Sequence, residues 1–118
     1  VAMLNLTSQR HLRAAAEFFL QDGDCRAALE EIAIALAVDA ACLPAWVMKA
    51  DVLYCMDRDA EALEAVDAAL ALDGDSVEAL VTKVGVLSAL NRQREALVLC
   101  QRAFSLLGEG DAYVLPTL

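Results

Sequence analysis

Between Leu43 and Ser76 the chain reads LPAWVMKADVLYCMDRDAEALEAVDAALALDGDS, and its apolar residues fall at two sets of helical spacings. Trp46, Ala50 and Leu53 stand at i, i+4 and i+7. Asp57-Arg58-Asp59 interrupts them with a polar turn, and Ala62, Leu63, Val66, Ala69, Leu70 and Leu72 then form a second stripe. Each stripe predicts an amphipathic helix. Pro44 stands where the first helix begins, where its fixed φ and missing N–H do no harm.

The same pattern returns 34 residues away on both sides, a spacing that signals a helical repeat array. Upstream, Leu12, Ala15, Ala16 and Phe19 form the first stripe and Ala28, Leu29, Ile32, Ala35, Leu36 and Val38 the second. Gly23-Asp24 separates them; Gly suits a helix end, and Asp24 can cap the helix that follows. Downstream, Leu80, Val84 and Leu87 precede an Asn91-Arg92 turn and a stripe of Ala96, Leu97, Cys100, Ala103, Phe104 and Leu106. Small residues recur in register: Ala28, Ala62 and Ala96 at one place, Ala35, Ala69 and Ala103 at another. An ordinary bundle has no reason to repeat its small residues at a fixed interval. A stack of similar units does, because each reuses one close helix crossing.

The reading is therefore all-α: three repeats at 9–42, 43–76 and 77–110, each an antiparallel helix pair. Residues 1–8 read as a tail or the end of an upstream helix, with Thr7 and Ser8 able to cap the first helix. Gly108-Glu109-Gly110 is expected to end the last helix, leaving 111–118 as a C-terminal tail. Because the chain starts at Val1, it is expected to be a segment of a longer protein.

These residues resemble the tetratricopeptide repeat (TPR) family. That family's first helix carries a large residue, a small one four places on, then an aromatic or Leu. Leu12, Ala16 and Phe19, then Trp46, Ala50 and Leu53, then Leu80, Val84 and Leu87 stand at those places. Its second helix opens and closes with small residues, as Ala62 and Ala69 do. Where the family usually has Asp-Pro, this chain has Asp39-Ala40, Asp73-Gly74 and Leu107-Gly108. The resemblance implies a right-handed superhelical α-solenoid. It also implies a concave groove, lined by the first helix of each pair, that takes a peptide segment of another protein.

On that geometry the groove wall is expected to hold Arg10, Arg13, Glu17, Val47, Met48, Asp51, Tyr54, Val81, Thr82, Gly85 and Ser88. Chaperone-binding members of the family clamp a C-terminal carboxylate with Lys, Asn and Arg. The matching places here hold Arg13, Glu17, Met48, Glu78 and Thr82. Only Arg13 fits, and Glu17 and Glu78 would repel a carboxylate. The expected ligand is instead an extended or helical segment with apolar anchors and an acidic residue near Arg10 and Arg13. The last helix leaves a second apolar face at Leu97, Phe104 and Leu107. Three readings cover it: the chain continues over it, Tyr113, Val114 and Leu115 fold back onto it, or a second copy pairs there.

Charge and composition narrow the function classes. A net charge of −9 lacks the basic stripe that phosphate neutralisation requires, so neither a nucleic acid nor an anionic membrane surface is expected as a partner. No apolar run approaches the ~20 residues that cross a bilayer. The single His11 has no Cys or Ser motif beside it, so no nucleophile–base pair is expected. The cysteines 25, 42, 55 and 100 form no CxxC pair, so no metal site or cofactor is expected. Unpaired thiols fit a reducing compartment, hence the cytoplasm, with the periplasm as the alternative. Pairs such as Glu30-Glu31 and Glu61 with Glu64 read as solvated helix faces rather than acid–base machinery. The chain thus reads as a non-enzymatic protein-interaction scaffold. The alternatives are a self-association module or a regulatory segment of a larger enzyme.

Overall fold

The computed structural model describes residues 6–110. Over them the chain forms α1 (Leu6–Glu17), which runs into a π-helical turn (Phe18–Asp22), then α2 (Cys25–Val38), α3 (Leu43–Cys55), α4 (Asp59–Leu72), α5 (Val77–Ala89) and α6 (Gln93–Gly110). Helices pair as α1 with α2, α3 with α4 and α5 with α6. The pairs stack through α2 on α3 and α4 on α5, while first helices touch along α1–α3 and α3–α5. This is an all-α solenoid of three antiparallel helix pairs.

The repeat is visible in the backbone. Moving 34 residues from α3 lands on α5 at both ends, and the starts of α2, α4 and α6 are separated by the same step. The turn inside each pair places one residue in the left-handed region: Gly23 at φ 66°, Asp57 at 62° and Asn91 at 65°. In the second and third repeats this reversal closes with Arg58 N–H donating to Leu53 O at 2.9 Å and Arg92 N–H to Leu87 O at 2.8 Å. Arg58 and Arg92 then grip Glu61 and Glu95 in the first turn of the following helix. In the first repeat Asp24 takes that place and caps α2 by accepting from Ala27 N–H at 3.0 Å. Between pairs, Asp39 and Asp73 accept from the amides of Ala41 and Asp75, and Ser76 caps α5 through Ala79 N–H at 3.3 Å. The second-repeat turn therefore ends α4 on Asp73, and Gly74 needs no left-handed backbone.

The recurring alanines lie where the helices cross. Ala28, Ala62, Ala35 and Ala69 are fully buried, and Ala96 and Ala103 nearly so. Ala50 is also at 0% exposure, packed with Leu53, Ala62, Val66 and Val86. A second cluster around Ile32, Ala35, Ala45 and Val52 shares Leu29 with the first, so the core runs on between the first two repeats. Trp46 seals the join, donating its indole N–H to Ala40 O at 2.9 Å with the Lys49 ammonium 5.3 Å above the ring.

One feature at the ends of the array departs from the periodic reading. α1 begins at Leu6, so Thr7 and Ser8 lie inside the helix. α6 is described as far as Gly110, the last residue of the Gly108-Glu109-Gly110 stretch, with Gly108 inside the helix. One Gly in a helix costs only about 1 kcal/mol, and no proline follows until Pro116. Tyr113, Val114 and Leu115 lie outside the described residues.

Candidate peptide-binding groove

The first helices of the three pairs enclose a cleft of about 560 Å³. α1 and its π-helical turn supply Ala16, Phe19 and Leu20. α3 supplies Pro44, Val47, Met48 and Asp51, and α5 supplies Val77, Glu78, Val81 and Thr82. The lining is mostly apolar, and parts of it are unusually open to solvent for such residues: Leu20 is 76% exposed and Val81 56%. Val47 and Met48 are more deeply set, Val47 as part of the core and Met48 packed against it. Asp51 is half-buried and accepts a hydrogen bond from the Thr82 hydroxyl at 3.2 Å, which ties α3 to α5. Burial pushes the Asp51 carboxyl above the ordinary carboxylate range; the Thr82 bond opposes this and the negative Glu78 reinforces it.

The structure gathers Val47, Met48, Asp51, Val81 and Thr82 of the expected wall into this cleft. Tyr54 and Gly85 lie together on α3 and α5, since a Cβ on Gly85 would sit 4.0 Å from the Tyr54 ring. Ser88 is exposed at the end of α5. Arg10, Arg13 and Glu17 are exposed on α1 and do not line the cleft; Ala16, Phe19 and Leu20 do. The π-helical turn moves the register of α1 by one residue, so that Ala16 rather than Glu17 stands at the place of Asp51. Gly23 N–H and Asp24 N–H both reach back to Phe18 O, one residue earlier than the equivalents of Leu53 and Leu87 would stand. The extra residue turns α1 by about 100° relative to α3 and α5. Ala15, not Ala16, is then the fully buried small residue.

A second cavity of about 530 Å³ opens among α2, α3 and α4, bounded by Leu29, Trp46, Leu53 and Ala65 and rimmed by Lys49, Arg58, Glu61 and Glu64. On α6, Leu97 (59% exposed), Phe104 (57%) and Leu107 (52%) line up on one face. All four cysteines are free thiols; Cys42 is buried, and Cys55 is pushed up by partial burial and by negative neighbours. Among the described residues no group of His, Cys, Asp and Glu is arranged to hold a metal ion, and no helix is long and apolar enough to cross a membrane.

No family model matches the chain, and no curated protein sequence does. Solved structures do match its fold. The second TPR domain of Spaghetti (RPAP3), bound to the HSP90 peptide SRMEEVD, aligns with a TM-score of 0.80 at 20% identity, over 85% of this chain and 92% of that one. The first TPR domain of the human RPAP3 protein aligns at 0.81 and 18% identity, over 85% and 78%. The MamA protein aligns at 0.78 and 16% identity, over 95% of this chain and 61% of that one. The chain has the TPR fold, with three helix pairs.

Proposed function

We propose that the chain is a protein-interaction module that holds a peptide segment of a partner in the cleft across α1, α3 and α5. The observation that carries this reading is the cleft itself: exposed Leu20 and Val81 face water beside a half-buried floor at Met48 and Asp51. Apolar side chains held open by a rigid scaffold favour burial against another chain, at about 25 cal/mol per Å² covered. Helices packed about 9 Å apart put the three first helices across roughly 20 Å. An extended segment of about six residues spans that distance. The peptide-bound TPR neighbour supports peptide binding as a use of this fold. Its ligand SRMEEVD is rich in carboxylates, which Asp51 and Glu78 here would disfavour, so a different class of segment is assigned to this cleft.

The test is comparative capture. Proteins retained by the immobilised chain are identified by mass spectrometry beside a Leu20→Gln/Val81→Gln variant with an unchanged melting temperature. A partner held by the first and lost by the second is expected. The same proteins captured equally by both would overturn the assignment. The α6 face supports a second reading, self-association through Leu97, Phe104 and Leu107. That reading requires a concentration-dependent dimer that is indifferent to substitutions in the cleft.

A further inference from the structure

Among the described residues, Asp51 and Glu78 are the only charged ones lining the cleft, and no Lys, Arg or His does. A carboxylate can accept about four hydrogen bonds. For Asp51 the structure shows one side-chain donor, the Thr82 hydroxyl. Partial burial and the neighbouring Glu78 both work against its charge. Basic groups near this part of the fold are engaged away from the cleft: Lys83 of α5 pairs with Asp67 of α4 at 2.6 Å, and Lys49 of α3 sits over Trp46. Arg10 and Arg13 stand outside the lining. The cleft thus combines an apolar wall with negative charge that a cation entering from outside would neutralise in a partly desolvated setting.

Building on the reading of this cleft as a peptide groove, we infer that its occupant is a segment carrying a lysine or arginine next to an aliphatic or aromatic residue. The cation is held by Asp51 and Glu78, and the apolar side chains lie over Leu20, Val77 and Val81. Two carboxylates contributed by neighbouring helices set where the basic residue must fall. The exposed apolar residues around them set which neighbours it needs. An acidic segment of similar shape is rejected by like-charge repulsion.

A phage-displayed library of random short peptides is selected against the chain, and the enriched peptides are labelled and titrated by fluorescence anisotropy. Lys or Arg beside an apolar residue is expected in the selected sequences. Affinity is expected to fall roughly tenfold in Asp51→Asn/Glu78→Gln, since charged hydrogen bonds are lost, and to weaken as salt is added. Glu78 is exposed, so Glu78→Lys alone tests the same point without risk to the fold and is expected to turn the selection away from cationic peptides. Selected peptides that lack basic residues, keep their affinity for Asp51→Asn/Glu78→Gln and lose it with Leu20→Gln/Val81→Gln would overturn the charge assignment while leaving the groove standing. So would enrichment of acidic peptides whose binding depends on Arg10 and Arg13. Binding that ignores every cleft substitution, or failure to select any cleft-dependent peptide, would overturn the groove reading and this inference with it.

Discussion

Gly23, Asp57 and Asn91 hold the same left-handed backbone at equivalent turns, which makes one position testable in three contexts. Replacing Gly23 by Ala isolates the backbone effect, because a Cβ there would meet nothing within 4 Å. The left-handed region costs a residue with a Cβ about 1–2 kcal/mol. The reduced entropy of the unfolded chain returns about 0.4–1 kcal/mol. Gly23→Ala should therefore destabilise by about 1 kcal/mol, a fall of roughly 4 °C in melting temperature for a domain of this size. Asp57→Gly and Asn91→Gly remove the same strain and should stabilise by up to about 1 kcal/mol, less at Asn91 because Asn tolerates this conformation best. Gly108 supplies an internal control: it also has open space around it, but it lies inside α6. There Ala is the better helix former, so Gly108→Ala should raise stability by about 0.5–1 kcal/mol. Thermal and urea unfolding followed by circular dichroism reads all four variants. An unchanged Gly23→Ala would refute the reasoning, because no side-chain contact at Gly23 is available to offset the backbone cost, and a destabilised Asp57→Gly would contradict it as well.

Three other expectations concern packing, charge and association. Ala50→Leu and Ala62→Leu should each lose about 1–3 kcal/mol by overpacking a close crossing, whereas exposed Ala60→Leu should stay within about 0.5 kcal/mol in the same melts. The Asp51 carboxyl is held above its ordinary value of 3.8, so the folded chain binds this proton more tightly than the unfolded one. Its contribution is favourable at low pH and is lost as pH rises through the window above that value, so Asp51→Asn should melt above the parent at neutral pH, with the gap closing on acidification. A gap that widens in acid would contradict the sign. If the α6 face drives dimerisation, Leu97→Gln/Phe104→Gln should abolish a concentration-dependent sedimentation shift that Leu20→Gln/Val81→Gln leaves intact.

The solenoid could be read from the chain because its controlling signals are local and periodic. Alanines at helix crossings recur at a fixed interval, and turns carry Gly, Asp or Asn where the backbone needs them. The groove's second and third walls follow from the same register, which is how Val47, Met48, Asp51, Val81 and Thr82 come together. The first wall was not legible. The π-helical turn over Phe18–Asp22 fits an extra residue between α1 and Gly23 without altering the spacing of Gly23, Asp57 and Asn91. A periodic reading therefore puts Glu17 where the fold puts Ala16. Nothing in FFLQD distinguishes a π-helical turn from an α-helical one, because the difference is a backbone hydrogen bond to Phe18 O. The negative character of the cleft became visible only with its lining, which holds Asp51 and Glu78 but neither Arg10 nor Arg13.

The central claim is that binding takes place in the cleft across α1, α3 and α5. Chemical-shift mapping tests it most directly: the ¹⁵N-labelled chain is titrated with a peptide enriched from the random library. Shifts concentrated at Leu20, Met48, Asp51, Val77 and Val81 are the expected result. Shifts concentrated along α6 at Leu97, Phe104 and Leu107, with the cleft silent, would contradict the claim.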